Sequence, residues 1–336
     1  MYEAFYGLKE KPFNLTPDPR FIYFTERHCE ALANLVYGIR ERKGFMVLSG
    51  EVGTGKTTIV NALLDTLHIT SVLTAFIFNP ILTSPEFFEY LLADFNLKYD
   101  GRSKTQALIR LNSLLLERYR AGKMTVLIVD EAQNLSAEIL EEIRLLTNLE
   151  TATEKLLQII LVGQPELSQK LNSSELRQLK QRINLRSSLE PLNLTETGEY
   201  INTRLEIAGL PDQRIFSETV VSEVFRCSGG IPRLINTICD NALLTGYACD
   251  LQFITRDIVM EVADDLELSD GQRYTKLRKE RKRHPDLQDG QDGNDSGPEE
   301  EQVLELVSTN QDSSPVNAQS FDLFVQYVEK LKNKVE

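Results

Sequence analysis

The most restrictive feature of the chain is the stretch GEVGTGKT at residues 50–57, which matches the pattern G-x-x-x-x-G-K-T. An apolar segment, FMVLS, precedes this stretch, and a segment with helical spacing of apolar residues, TTIVNALLDTL, follows it. Glycines allow backbone N–H groups to turn toward a phosphate, and the start of a helix adds a partial positive charge. A strand that enters a helix through such a loop predicts a nucleotide-binding α/β fold.

This phosphate loop supplies a defined set of candidate ligands for ATP and Mg²⁺. The Lys56 ammonium would reach the β- and γ-phosphates, and the Thr57 hydroxyl would bind Mg²⁺. The predicted nucleotide-binding residues are Gly50, Glu51, Val52, Gly53, Thr54, Gly55, Lys56, Thr57 and Thr58.

A second motif, VLIVDE at residues 126–131, is an apolar run that ends in two carboxylates. A buried strand would carry Asp130 to the phosphates, where it binds Mg²⁺ directly or through water. Glu131 is then placed to act as the general base on an attacking water. Such a run also fits a strand that simply meets a helix. Its position after a phosphate loop favours a nucleotide site, and the adjacent carboxylates indicate hydrolysis rather than binding alone.

Short segments rich in Ile, Leu and Val alternate with helical patterns up to about residue 194, as in a parallel α/β sheet. The predicted strands are 45–49, 75–78, 125–129, 157–162 and 185–189, and the predicted helices are 57–67, 85–95, 105–120, 136–149 and 165–170. Only helical patterns follow, at 196–207, 218–225, 232–247 and 255–266. The sequence predicts a five-stranded αβα sandwich followed by a small all-helical lid domain.

Polar residues at three further places fit a hydrolytic site. Gln164 follows the fourth predicted strand. In P-loop ATPases with an added carboxylate, that strand lies between the strands of the two motifs. Gln164 is otherwise an ordinary amide side chain in a loop.

Arg177, Arg182 and Arg186 precede or begin the last strand, where an arginine can act on a neighbouring subunit's γ-phosphate. Arg182 is the first choice, although a solvated surface arginine also fits. Arg233 begins a helix after Gly-Gly-Ile-Pro and can reach back over the nucleotide or simply cap its helix.

The charge distribution bears on the choice of partner. The formal net charge is −13, which disfavours general nucleic-acid binding because phosphate affinity comes mainly from Lys and Arg. The segment 273–283 carries +6, however, whereas 286–336 carries −9. The basic run therefore leaves DNA binding open, beside the alternatives of an intramolecular latch with the acidic tail and a solvated helix.

The ends of the chain carry further expectations. Residues 284–301 are polar and rich in Gly and Asp, which predicts a disordered linker. Residues 320–336 have apolar side chains at helical spacing, which predicts an amphipathic helix that docks on its own protein, a partner or a membrane surface. The N-terminus shows no signal-peptide pattern, no apolar run is long enough to span a bilayer, and the four cysteines show no paired spacing. We expect a cytoplasmic protein, or one held peripherally at the inner membrane.

These elements, in this order, resemble the AAA+ ATPases over roughly residues 1–268. The stretch FYGLKEKPFNLTPDPRFIYFTERHCEALANLVYGI, together with VDEAQNL, VGQPEL, LKQRI and GGIPRLIN, is similar to the ExeA/GspA-type general secretion ATPases. ATPases of pilus biogenesis, of exosortase and exopolysaccharide loci and of TniB/TnsC-type transposition systems look similar. The resemblance implies that Lys56 and Thr57 belong to Walker A and that Asp130 and Glu131 belong to Walker B. It also implies that Gln164 is sensor 1, Arg182 the arginine finger and Arg233 sensor 2.

The resemblance implies a homo-oligomer, as a ring or filament, with the finger acting in trans. Together with the charge and apolar patterns above, it divides the chain into an N-terminal segment near the adenine pocket (1–44), the ATPase domain (45–194), the lid (195–270), the basic run and linker (271–319) and the terminal helix (320–336). We expect an ATPase that energises or regulates assembly of a bacterial envelope secretion or polysaccharide-export machine, with 320–336 as a tether. The membrane span and peptidoglycan-binding domain of full-length secretion ATPases are not expected. A DNA-binding transposition regulator and a slow nucleotide-gated scaffold are the alternatives.

Overall fold

The computed structural model describes residues 1–15, 19–69, 72–78, 81–99, 103–210 and 215–268. The predicted basic run, the acidic linker and the terminal helix, within 271–336, lie outside the described residues. Every helix of the described part is too short or too polar to span a lipid bilayer.

A five-stranded, all-parallel sheet forms the centre of the nucleotide domain, as predicted. Its strands are β1 (Phe45–Gly50), β2 (Leu73–Ile77), β3 (Thr125–Val129), β4 (Gln158–Gly163) and β5 (Leu185–Leu189), in the order β2-β3-β4-β1-β5. The predicted insertion of the fourth strand between the strands of the two motifs is confirmed. β2 ends at Ile77 rather than at the predicted Phe78, whose side chain is exposed.

Helices cover both faces of the sheet, so the strand side chains alternate between two cores. In β1, Phe45 and Val47 face one core, and Met46 and Leu48 face the other. This two-sided burial explains why the strands are nearly continuous apolar runs. One face packs against α2 (Glu26–Arg40) and α3 (Lys56–Ile69); the other packs against α4 (Ser84–Asp94), α5 (Lys104–Arg120), α6 (Ala137–Leu146), α7 (Pro165–Leu171) and α8 (Arg177–Lys180).

The four predicted lid helices are present as α9 (Leu194–Ile207), α10 (Glu218–Ser228), α11 (Pro232–Ala248) and α12 (Arg256–Asp265). α9 begins before the predicted residue 196 because Asn193 and Glu196 form a reciprocal cap. The Asn193 side chain accepts from the Glu196 N–H at 2.9 Å, and the Glu196 carboxylate accepts from the Asn193 N–H at 2.7 Å. The four helices share a third apolar core.

The N-terminal residues 1–15 and 19–23, here called the strap, belong to this third core. The strap begins with the short helix α1 (Tyr2–Tyr6). Tyr6 donates its hydroxyl to the Leu251 carbonyl at 3.0 Å, and the Phe13 ring packs edge-on against Phe216. Residues at the two ends of the described chain therefore build one hydrophobic core.

A buried arginine holds the strap against the helical domain. The Arg204 guanidinium donates to the carbonyls of Pro12 at 2.6 Å, Asn14 at 3.4 Å and Phe21 at 3.4 Å, and to the Tyr200 hydroxyl at 3.0 Å. Only 6% of Arg204 is exposed. Buried backbone carbonyls require partners, and this one side chain serves three of them.

The chain changes from one core to another within two residues. Tyr23 packs edge-on against the Tyr200 ring and donates its hydroxyl to Glu199 at 2.6 Å, so it is anchored on the helical domain. Phe24, by contrast, lies in the core beneath the sheet, and Thr25 then caps α2. The stretch predicted as one N-terminal segment, 1–44, is thus shared between two domains.

Replacing Arg204 with Met should destabilise the protein by about 2–4 kcal/mol, because buried carbonyls of the strap would lose their donor. We expect a lower urea midpoint and faster tryptic cleavage after Lys9 and Arg20 of the strap. Arg120→Met, at the exposed end of α5, is the control and should change the unfolding free energy by no more than about 0.5 kcal/mol. Equal stability of the two variants would contradict the anchoring role of Arg204.

Candidate functional site

The phosphate loop connects β1 to α3 at the carboxyl edge of the sheet, between β4 and β5. Gly53 has φ +83° and Gly55 has φ +100°, which are conformations that side chains other than glycine rarely adopt. The Thr54 hydroxyl donates to the Glu51 carbonyl at 2.8 Å and fixes the turn between them. The sequence therefore encodes a backbone cradle of the type that binds phosphate.

Lys56 lies inside this cradle at the start of α3. Its Nζ donates to the carbonyls of Gly50 and Glu51, both at 2.9 Å, and the residue is 7% exposed. Burial lowers the pKa of Lys56, while the carboxylates of Glu131 and Asp130 act in the opposite direction. The ammonium group is thus desolvated and held by weak neutral acceptors, which phosphate oxygens can replace.

The helical domain contacts the loop directly. The backbone N–H of Arg233, in the first turn of α11, donates to the Gly53 carbonyl at 3.3 Å. A Cβ on Gly53 would lie 2.6 Å from the Arg233 Cβ, so only glycine permits this approach. At Gly230 (φ +76°), a Cβ would lie 1.9 Å from the Leu192 carbonyl oxygen. The predicted GGIP turn brings α11 against the phosphate loop, and the Arg233 side chain is exposed there.

The two carboxylates of the second motif follow β3 at the same edge of the sheet. Asp130 is 6% exposed and accepts a hydrogen bond from the Glu131 N–H at 2.8 Å. Burial raises the pKa of Asp130, the hydrogen bond from the Glu131 N–H lowers it, and the Glu131 charge adds to the rise. Glu131 adopts φ 50°, ψ 37°, a left-handed conformation that is uncommon for a residue with a side chain.

Two amides hold the Glu131 carboxylate. Its Oε2 accepts from Gln133 Nε2 at 2.5 Å and from Gln164 Nε2 at 3.1 Å. Gln133 in turn accepts, through Oε1, from the Gln164 N–H at 3.1 Å. The structure therefore brings the predicted Gln164 to the predicted general base and adds Gln133. The sequence signal for Gln133 was only its place in the turn after the two carboxylates.

Arg182 lies away from this group, at the amino edge of the strands just before β5. Its Nη1 donates to the Thr147 hydroxyl at 2.7 Å and to Asn148 Oδ1 at 2.5 Å, after the end of α6. Arg177 and Arg186 are exposed. Strands of five or six residues span roughly 16–20 Å at about 3.3 Å per residue. Arg182, which precedes the first residue of β5, therefore lies about a strand's length from the phosphate loop of its own chain.

His28 is a buried neighbour of the loop, and it lies within the N-terminal stretch that resembles the family but carried no predicted role. Its Nε2 lies 3.0 Å from the Thr54 carbonyl oxygen, and its Nδ1 lies 2.6 Å from the Thr25 hydroxyl. The residue is 5% exposed, and burial lowers the pKa of its imidazole.

The residues at this edge fit a magnesium nucleotide. The positive-φ glycines leave room for phosphate beside backbone N–H groups, and Lys56 supplies a buried cation. Thr57, exposed in the first turn of α3, and Asp130 offer the oxygen ligands that Mg²⁺ prefers. Their donor chemistry and their placement at one edge of the sheet suit such a ligand.

Comparison with known proteins identifies relatives of this chain. A protein-family model described as AAA domain matches residues 39–171. General secretion pathway protein A of Aeromonas hydrophila is 47% identical over 249 residues, or 74% of this chain. The chain spans 45% of the length of that relative.

Solved structures show the same fold at low sequence identity. CDC6P from Pyrobaculum aerophilum matches with a TM-score of 0.56 at 17% identity and covers 76% of this chain and 70% of its own. The ORC2 protein of Aeropyrum pernix, in its ADPNP–ADP complexes, matches with a TM-score of 0.54 at 17% identity, over 76% and 71%. The sequence relative and the family model show that the chain belongs to the AAA+ P-loop ATPase family and is similar to General secretion pathway protein A.

Proposed function

We propose that this protein hydrolyses ATP to ADP and phosphate at the edge where β1, β3 and β4 end. The observation that carries the proposal is the Glu131 carboxylate, which two amides hold beside Asp130 and the phosphate loop. A carboxylate oriented by hydrogen bonds can accept a proton from a water that attacks the γ-phosphate. A protein that only binds nucleotide has no need of a base held in this way.

Each residue has a defined task in this mechanism. The backbone N–H groups of the loop and the Lys56 ammonium bind the β- and γ-phosphates and stabilise their negative charge. The Gln164 amide keeps the Glu131 carboxylate at the end of β4, which is the strand beside β1. Thr57 and Asp130 would hold Mg²⁺, which supplies charge neutralisation at the phosphate oxygens when bound. Arg233 would contact the nucleotide from the helical domain.

Two substitutions separate binding from hydrolysis. Lys56→Ala should abolish measurable ATP and ADP binding, because the buried cation of the cradle is lost. Glu131→Gln should keep nucleotide affinity but lower turnover by about 10²-fold or more, since an amide cannot accept the proton. Calorimetric titration and phosphate release measure the two effects. Undiminished turnover in Glu131→Gln would rule out Glu131 as the base.

Gln133 should act as a positioning residue for Glu131. In Gln133→Met the carboxylate loses one of its two amide donors, and the Gln164 N–H loses its acceptor. We expect turnover to fall about tenfold, equal to roughly 1.4 kcal/mol, with nucleotide affinity unchanged. Gln169→Met, on the exposed face of α7, is the matched control. Equal turnover in the two variants would show that Gln164 alone positions the base.

A second subunit completes the site in this proposal. Arg182 lies at the edge of the sheet opposite the phosphate loop, so it can serve only another copy of the chain. Its present acceptors, Thr147 and Asn148, are neutral, and a phosphate oxygen forms a stronger charge-assisted bond. Under this proposal the protein acts as an oligomer, either a ring or a filament.

Mixing two inactive variants tests the trans arginine. Arg182→Ala keeps its own base but supplies no finger, whereas Glu131→Gln supplies the finger but lacks the base. We expect each to be inactive alone and their mixture to regain phosphate release, with wild-type specific activity rising with protein concentration. Arg177→Ala and Arg186→Ala are controls. A mixture as inactive as its components would contradict a trans role for Arg182.

The relative's name, General secretion pathway protein A, points to a secretion pathway as the user of this ATPase. We propose that the protein energises or regulates assembly of a bacterial secretion or export apparatus from the cytoplasmic side of the inner membrane, with residues 320–336 as its tether. Deletion of the gene in the source organism, with complementation by the wild type or by Lys56→Ala, tests this role. Only the wild type should restore protein or polysaccharide export; normal export in the deletion strain would exclude it.

A further inference from the structure

His28 lies where the strap, the nucleotide domain and the phosphate loop meet. It occupies the third position of α2, three residues after the helix cap Thr25. Tyr23, on the strap, is anchored to the helical domain, so the path from that domain to α2 is only a few residues long. On its other side the imidazole touches the loop, since a Cβ on Gly55 would lie 3.0 Å from Nε2.

The two partners of the ring determine its protonation. The Thr54 carbonyl oxygen can only accept, so the proton lies on Nε2 and is donated to it. Nδ1 is then free to accept from Thr25, whose hydroxyl and N–H lie at 2.6 and 3.4 Å. In return, the Thr25 hydroxyl accepts from the His28 N–H at 3.3 Å. The neutral Nε2–H imidazole therefore satisfies both neighbours.

The hydrogen bond to Thr54 sets the orientation of a peptide unit in the cradle. A trans peptide is planar, with its C=O and N–H on opposite sides. When His28 donates a hydrogen bond to the Thr54 carbonyl, the Gly55 N–H must point away from the imidazole ring, on the opposite side of the peptide bond. Gly55 has φ +100°, and glycine readily changes between backbone conformations, so this peptide unit needs an external restraint.

We propose that His28 is a positioning residue of the phosphate loop, which fixes the Thr54–Gly55 peptide for phosphate binding and links the loop to the strap. The proposal rests on the nucleotide site proposed above. The helical domain then restrains the loop from two sides, through the Arg233 N–H on the Gly53 carbonyl and through the strap, Thr25 and His28. Because His28 contacts the loop backbone rather than the reacting atoms, it should affect ATP binding more than the chemical step.

Asparagine and glutamine provide a matched pair of substitutions. The amide of Asn can take the place of Nδ1, so His28→Asn keeps an acceptor for Thr25 but loses the bond to Thr54. The amide of Gln can take the place of Nε2, so His28→Gln keeps the donor to Thr54. In the full chain, we expect His28→Asn to bind ATP and ADP about tenfold more weakly and to raise KM about tenfold, with kcat within about twofold of the wild type. His28→Gln should restore affinity to within about twofold.

The outcomes separate this inference from the proposed function. Wild-type affinity in His28→Asn, or equal loss in both variants, would overturn the role of His28 while leaving the nucleotide site intact. No saturable ATP or ADP binding by the wild type would overturn both. Thermal unfolding without nucleotide should show similar midpoints for the two variants, so a shared loss of stability does not explain a difference between them.

Imidazole nitrogen NMR of the wild type provides a measurement that depends on no variant's folding. The chain has three histidines, so His68→Gln and His284→Gln assign the His28 signals by elimination. We expect a neutral ring protonated on Nε2 at pH 7.5. A neutral Nδ1–H ring would contradict the hydrogen bond from Nε2 to Thr54, and a charged ring would contradict the hydrogen bonds that Nδ1 accepts from Thr25.

Discussion

The backbone of the phosphate loop is the constraint on which the rest of the structure depends. Gly53 and Gly55 adopt left-handed conformations that open the cradle. Because glycine has no side chain, neither residue can hold the loop through side-chain contacts. The conformation of the phosphate loop is therefore held by the elements and residues around it. β1 fixes one end in the middle of the sheet, α3 fixes the other, and contacts from Arg233 and His28 restrain the turn between them. The strand order then places the ends of β3 and β4 beside the cradle.

The electrostatics of the site follow from burial of opposite charges in a small space. Desolvation disfavours the charged form of Lys56 and of Asp130, which lowers one pKa and raises the other, and their mutual attraction partly offsets both effects. Both groups have polar partners from the backbone: two carbonyls for the ammonium and an N–H for the carboxylate. A nucleotide with its divalent cation offers each a partner of full opposite charge. The site is therefore arranged for charged ligands rather than for stability alone.

Much of the fold could be predicted from the sequence because its signals are local. Strands covered on both faces must be apolar runs, and the phosphate loop and the two carboxylates follow such runs directly. The contacts that were missed join residues far apart in the chain. His28 meets Thr54 across 26 positions, and Gln133 meets Gln164 across 31. No periodicity encodes such a pairing, since each residue alone fits an ordinary helix or turn.

The contacts of the strap also join residues far apart in the chain, and they determine which domain the strap packs against. Arg204 lies 192 positions from Pro12 and binds backbone carbonyls, so the strap need not carry a matching charged side chain. Within residues 1–44, the strap is packed with the lid helices, whereas α2 is packed under the sheet. The helical domain is thereby connected to the phosphate loop through both its own helix α11 and the N-terminus. A shift of that domain would therefore act on both contacts, and the proposed restraint by His28 would tie the position of the domain to the conformation of the phosphate loop.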